Sequence, residues 1–272
     1  MKPGVYFSIS NEDYHSGEGI SKSQLDDVAI NMDVYHWRKD APEDEEKKDA
    51  LTMGTALHCA LLEPDSFSSR FIEAPNFNRR TTSGKEDEKA FIESCSSFGK
   101  TILSAENARK IRMMRDSVYA HRSARWFLEA SGHCEASMYW IDKETGLLCR
   151  TRPDKFLSEM PVILDVKKIA EMSRFPRHVA EFRYHVQDAF YREGFRENYG
   201  ETPMFIFLAV SETVDCGRYP VRLFSLTPYD VEVGTFLFRR DLNTFAHALT
   251  HGDSGGIEEI TRPEWDKRND FL

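Results

Sequence analysis

Pro161-Val162-Ile163-Leu164-Asp165-Val166-Lys167 reads as a β-strand that is apolar for four residues and then abruptly charged. Residues two apart on a strand share a face, so Asp165 and Lys167 project together, roughly 6–7 Å apart along the chain. Asp154, in Arg152-Pro153-Asp154, lies eleven residues earlier on the preceding predicted strand. A hairpin connection of that length returns the chain and brings the two carboxylates together. Converging carboxylates repel unless a positive group lies between them, and a hard divalent cation such as Mg²⁺ takes oxygen ligands of this kind. A solitary Asp-x-Lys is ordinarily a surface ion pair at a strand end. Here the charges emerge from a buried element, and the companions elsewhere in the chain decide the matter.

Outward from this strand, residues 135–142 and 147–156 flank the turn-like Asp142-Lys143-Glu144-Thr145-Gly146 and predict a β-hairpin. Residues 184–199 read as a helix stopped by Gly200. Residues 204–210 and 219–226 read as strands and 228–249 as a helix. Upstream, the pattern is mainly helical: residues 20–30 with Ser21 or Ser23 as N-cap, 33–39, 50–62 up to Pro64, and two or three segments over 86–130. The polar run over 40–49 reads as a solvated loop, and 73–85 as a loop carrying Arg79-Arg80. The fold class expected is α/β (α+β), a central mixed sheet flanked by helices. Its boundaries are one domain over 1–272, with a mainly helical part over 1–130, a sheet-containing core over 131–250 and a tail over 251–272.

The composition suits a globular chain: 272 residues, 40% hydrophobic, 12% aromatic and 30% charged. No apolar run is long enough to span a membrane, and the start lacks a signal-peptide stretch, so a cytoplasmic location is expected. The five cysteines are scattered without a Cys-x-x-Cys pair, which argues against a disulfide framework, a thiolate zinc site or an iron–sulfur cluster. His247 and His251 have helical ligand spacing but lack the Glu of His-Glu-x-x-His. The net charge of −9 does not exclude a nucleic-acid ligand, because a locally basic groove is invisible to the mean.

The order Gly54-x-x-x-His58, Arg152-Pro153-Asp154, Asp165-Val166-Lys167 and then Gln187-x-x-x-Tyr191 resembles the PD-(D/E)xK nuclease superfamily in its RecB/λ-exonuclease-like branch. GTALHCALLEP, TGLLCRTRPDK, LDVKK, FRYHVQDAFYREGF and CGRYPV are most similar to the RecE-type exonuclease domain (exodeoxyribonuclease VIII), often the C-terminal part of a larger prophage recombination protein. The resemblance implies metal ligation by His58, Asp154, Asp165 and the main-chain oxygen of Val166. It implies that Lys167 acts on the attacking water, with Gln187 and Tyr191 lining the DNA and metal site. Lys168 departs from the small hydroxyl residue that many relatives have there, which bears on local phosphate contacts.

By the same resemblance, the activity expected is ATP-independent, Mg²⁺-dependent (Mn²⁺ as a substitute) 5′→3′ exonuclease action on linear double-stranded DNA. It leaves 3′ single-stranded tails for a RecT-type annealing protein, from a ring-shaped homotetramer. A cleavage-deficient DNA-end-binding scaffold and a related endonuclease are the competing readings. Ser21, Lys22 and Ser23 at a helix start could hold a 5′-phosphate. Arg150 and Arg152 share a strand face leading to Asp154, and Arg79 and Arg80 are further backbone-contact candidates.

Overall fold

The computed structural model describes residues 1–42, 48–252 and 259–267. The first half forms β1 (Gly4–Tyr6), α1 (Asn11–Ser16), α2 (Lys22–Ile30), α3 (Met32–Lys39), α4 (Lys48–Leu62), α5 (Phe67–Arg70), β2 (Phe71–Glu73), α6 (Thr82–Ser97), β3 (Thr101–Leu103), α7 (Ala105–Ala120) and α8 (Arg122–Glu129). The second half forms β4 (Gly132–Cys134), β5 (Ser137–Ile141), β6 (Leu148–Thr151), β7 (Lys155–Leu157), β8 (Val162–Ile169), α9 (Phe175–Glu181), α10 (Tyr184–Tyr199), β9 (Met204–Ser211), β10 (Val221–Phe224), α11 (Pro228–His251) and α12 (Glu264–Lys267). Short polar side chains start many of the helices: Ser21, Asn31, Thr81, Ser104 and Thr227 each accept a main-chain N–H of the first turn. Lys48 and Asp49, expected in a loop, open α4, and the rest of that loop over 43–47 lies outside the described residues. The expected tail contains the end of α11 and α12, with 253–258 and 268–272 likewise outside.

A five-stranded mixed sheet ordered β10-β9-β8-β7-β4 forms the centre, with β8 and β9 parallel and the other pairs antiparallel. The parallel β8–β9 pair is joined through α9 and α10, as a parallel crossover requires. Leu164, Val166, Ile206 and Leu208 face Leu57 and Leu61 of α4 and Met114 and Val118 of α7. Ile163, Phe205 and Phe207 face Phe175 of α9 and Phe195 of α10. β8 is therefore covered on both faces over its apolar half, which explains its continuous hydrophobic run.

The expected hairpin is present, but its arms do not stay in one sheet. β5 pairs with both β6 and β1 in a separate three-stranded sheet, whereas β4 and β7 continue the same two arms into the central sheet. Both arms bend at one level. On one arm Glu135 takes a left-handed conformation with φ 51°; on the other, Arg152-Pro153-Asp154 leaves the ladder, Pro153 having no N–H to donate. The Glu135 N–H donates to the Asp154 carbonyl at 3.1 Å, tying the two bends together. Asp154 therefore sits at a corner between sheets and not on a strand.

α10 lies against α11, and the contact is closest at Gly234, where a Cβ would overlap the His185 carbonyl oxygen. That oxygen belongs to helix backbone and cannot rotate away. Gly234→Ala is expected to destabilise the protein by about 1–3 kcal/mol by forcing the two helices apart. A denaturant midpoint equal to that of the unsubstituted chain would contradict this packing.

Candidate active site

Asp165, only 2% exposed, stands on the α9/α10 face of β8 just beyond Ile163. Gln187, one turn into α10, donates to Asp165 Oδ1 at 2.6 Å. Lys167 Nζ lies 2.6 Å from Asp165 Oδ2, on the strand face that its spacing predicts. The approach of that ammonium leaves Oδ2, fully buried, without a well-formed hydrogen bond. Burial lifts the Asp165 carboxyl to about 6; Lys167 pulls the other way, and the Asp154 carboxylate adds to the rise. Burial would depress the Lys167 ammonium, but Asp165 and Asp154 outweigh it and hold the group above its ordinary value.

Asp154 reaches the same place from the corner. Its Oδ2 accepts the Val166 N–H at 2.6 Å and lies 3.5 Å from His58 Nδ1 on α4. The two aspartates thus flank one main-chain step of β8, and Val166 lines the cleft in front of them. His58, expected on a largely apolar helix, turns its ring out of that core toward Asp154.

Glu135 completes the set, and the motif reading did not include it. Donor atoms of His58, Glu135 and Asp154 all lie within 4.8 Å of one another. Cys134 pairs with Lys155 and Met138 with Thr151, and the same register carried through the bend sets Glu135 opposite Asp154. Like charges directly opposed across a strand pair are destabilising. Burial, and then the Asp154 carboxylate, lift Glu135 to about 8, with Arg152 opposing. The signal that would have found it is the hairpin register itself, which follows from the position of the Asp142–Leu147 turn.

The donor atoms that meet here are one imidazole nitrogen and two carboxylates, from His58, Glu135 and Asp154. With the buried Asp165 carboxyl beside them, they suit a hard divalent cation such as Mg²⁺ or Mn²⁺. His58, Glu135, Val166 and Lys167 open onto a cleft of about 960 Å³, also lined by Arg70, Arg152, Lys168, Phe182 and Tyr184. The Tyr184 ring packs under the Lys167 ammonium at 4.7 Å. Tyr191 does not line the cleft. It is half-buried against Phe205, and burial followed by the neighbouring negative groups pushes its hydroxyl up.

The other expected DNA contacts fare differently. Arg150 donates to the carbonyls of Tyr14, His15 and Gly17, closing the end of α1. Arg152 donates to Ser137 Oγ and to the carbonyls of Ile9 and Ser10, and both guanidiniums pack on the Tyr14 ring. Both arginines are engaged within the structure, and Arg152, unlike Arg150, also lines the cleft. Ser21 forms a capping box with Gln24 and contacts Ser23; both serines line a second cavity of about 890 Å³ beside α2 and α3. Lys22 donates to the Phe182 carbonyl at 2.7 Å and pairs with Asp26 at 2.6 Å. Arg79 is bidentate on Glu88, and neither it nor Arg80 lines the cleft. Lys168, the departure from the motif, is paired with Glu212, which Lys110 also approaches at 3.3 Å.

A mixed sheet whose central strand carries Asp165-Val166-Lys167, beside a corner bearing Pro153-Asp154, defines the PD-(D/E)xK class of α/β domains. The family model for the PDDEXK-like domain of unknown function (DUF3799) matches residues 31–251, and the chain belongs to that family. Among solved structures, it is similar to a putative exonuclease from Eubacterium rectale, at 14% identity and TM-score 0.64, covering 97% of this chain and 99% of that one. An alkaline exonuclease (LHK-Exo) from Laribacter hongkongensis aligns over 62% of this chain and 85% of that one, at 11% identity and TM-score 0.27. No curated protein sequence matches the chain. Among the described residues, no helix is long and apolar enough to cross a membrane.

Because Asp165 and Glu135 carry raised pKa values of about 6 and about 8, protons compete with a cation for them. Affinity for Mn²⁺ is expected to rise from pH 6 to pH 8, with protons released on binding. Calorimetry in buffers of different ionisation enthalpy measures both. An affinity that is flat with pH, or Glu135→Gln binding Mn²⁺ as tightly as the unsubstituted chain, would remove Glu135 from the ligand set.

Proposed function

We propose that this chain is a divalent-metal-dependent nuclease that hydrolyses linear double-stranded DNA from its 5′ ends without ATP, in the manner of a RecE-type exonuclease. The observation that carries the reading is the meeting of His58, Glu135 and Asp154 at an open cleft, beside the buried Asp165–Lys167 pair. A merely structural ion pair would not set a second pair of opposed carboxylates at the same spot. The ordered motifs support a RecE-type assignment, and the solved structure with which the chain shares its fold bears the name putative exonuclease.

When bound, a divalent cation supplies Lewis acidity toward a phosphate oxygen and an acidified water. His58, Glu135, Asp154, Asp165 and the Val166 carbonyl oxygen would hold it. Gln187, fixed on Asp165 Oδ1, keeps that carboxylate from rotating and leaves Oδ2 to the Lys167 ammonium. Lys167, braced between Asp165 and the Tyr184 ring, keeps N–H groups for the nucleophilic water and a phosphate oxygen. Generation of 3′ tails, passage of those tails to an annealing protein and assembly as a ring of four chains belong to the same proposal.

Asp165→Ala and Lys167→Ala are each expected to lower release of acid-soluble nucleotides from linear duplex by at least about 10³-fold, and EDTA to abolish it. Because removing one partner of a buried ion pair is costly, about 3–5 kcal/mol, melting temperatures must accompany the rates. Asp165→Asn, which keeps the shape without the charge, distinguishes lost chemistry from lost folding. Retained activity in a folded variant would sink the proposed chemistry. Cleavage of covalently closed circular DNA at the linear rate would replace the exonuclease reading with an endonuclease.

A further inference from the structure

Phe182 combines features that ordinary packing does not explain. Its side chain is 52% exposed, yet it lines the cleft that holds Lys167 and Asp154's partner His58. It caps the C-terminal end of α9, and the next residue, Arg183, adopts a left-handed conformation with φ 51° and ψ 45°. A non-glycine residue there costs about 1–2 kcal/mol, and such costs are concentrated where a fold holds a group in place for a purpose.

The turn is pinned from three sides. Arg183 pairs with Asp26 of α2 at 3.0 Å and with Asp241 of α11, while Lys22 Nζ grips the Phe182 carbonyl at 2.7 Å. The phenyl ring rests edge-on against His178 at 5.3 Å and tilts beside Tyr184 at 5.8 Å. A rigid, half-exposed aromatic face therefore stands on the rim of a cleft whose lining also carries the cations Arg70, Arg152, Lys167 and Lys168. That pairing, an aromatic platform beside positive charge, suits a nucleic-acid strand: the cations attract the phosphates, and the ring offers a surface to a base.

We propose that Phe182 is a stacking platform for a nucleobase of the DNA strand lying in the cleft. The inference rests on the nuclease reading and deepens it: base contact is sequence-tolerant, because every base has a π-face.

The test uses the intact chain, with short 5′-phosphorylated linear duplexes carrying 2-aminopurine at successive positions from the end. Phe182→Ala is expected to raise KM about tenfold with kcat within about threefold, and to abolish the fluorescence quench at one position. Phe182→Trp is expected to restore both, and Phe182→Leu, which keeps bulk without a ring, to behave like Ala. Normal KM and quenching in the Ala or Leu variant, while the unsubstituted chain is active, would overturn the platform alone. Normal KM with altered sizing behaviour would assign Phe182 to a contact between chains and equally overturn it. If the unsubstituted chain neither binds nor degrades the duplex, the nuclease reading fails first and the platform falls with it.

Discussion

The burial of the Asp165 carboxylate is the constraint on which the rest of the structure depends. A carboxylate with almost no exposure must be neutralised, paired or ligated, since desolvation of an isolated charge costs several kcal/mol. Lys167 on the same strand supplies the counter-charge and Gln187 on α10 supplies one hydrogen bond. Both depend on register: Lys167 on the alternation of β8, Gln187 on the seating of α10. That seating is set in turn by the close backbone approach at Gly234 and by the Arg183 contacts to α2 and α11. The two oxygens are thus shared between Gln187 and Lys167, and the Asp154 carboxylate nearby still works against the charge on Asp165.

The second concentration of cost lies at the corner where the hairpin arms change sheets. Setting Glu135 against Asp154 works against stability, and the left-handed backbone at Glu135 adds to it. Folds optimised only for stability would place an apolar or oppositely charged pair there. Local choices that contradict stability and converge on one point are what functional sites look like physically. The corner also explains how residues from two sheets and from α4 meet: the strands twist away from each other above the bend and leave a cleft that His58 enters from the side.

For the proposed DNA substrate, an acidic chain must place its cations with economy. Several basic groups that look available in the sequence are consumed internally: Arg150 and Arg152 hold the segment around α1, and Arg79 holds Glu88. Those remaining near the cleft are lysines and one arginine whose partners are carboxylates on the scaffold. Lys168 follows this rule, sharing Glu212 with Lys110. Such pairs keep their cations oriented until a phosphate competes for them, and they limit non-specific attraction to polyanions.

The sequence by itself determined the elements that obey short-range rules. The apolar-then-charged run of β8, the helix stop at Gly200 and the same-face pairing of Asp165 with Lys167 are all consequences of backbone periodicity and glycine geometry. The motif order likewise marked Asp154, His58 and Gln187, which do converge. Tertiary structure alone decided the rest. The bend at Glu135 and Pro153, the division into two sheets and the role of Glu135 depend on how two arms pack against different neighbours. The fate of Arg150 and Arg152 depends on carbonyls more than 130 residues away, which no local pattern encodes. Periodicity specifies which face a side chain takes; only packing specifies what stands opposite it.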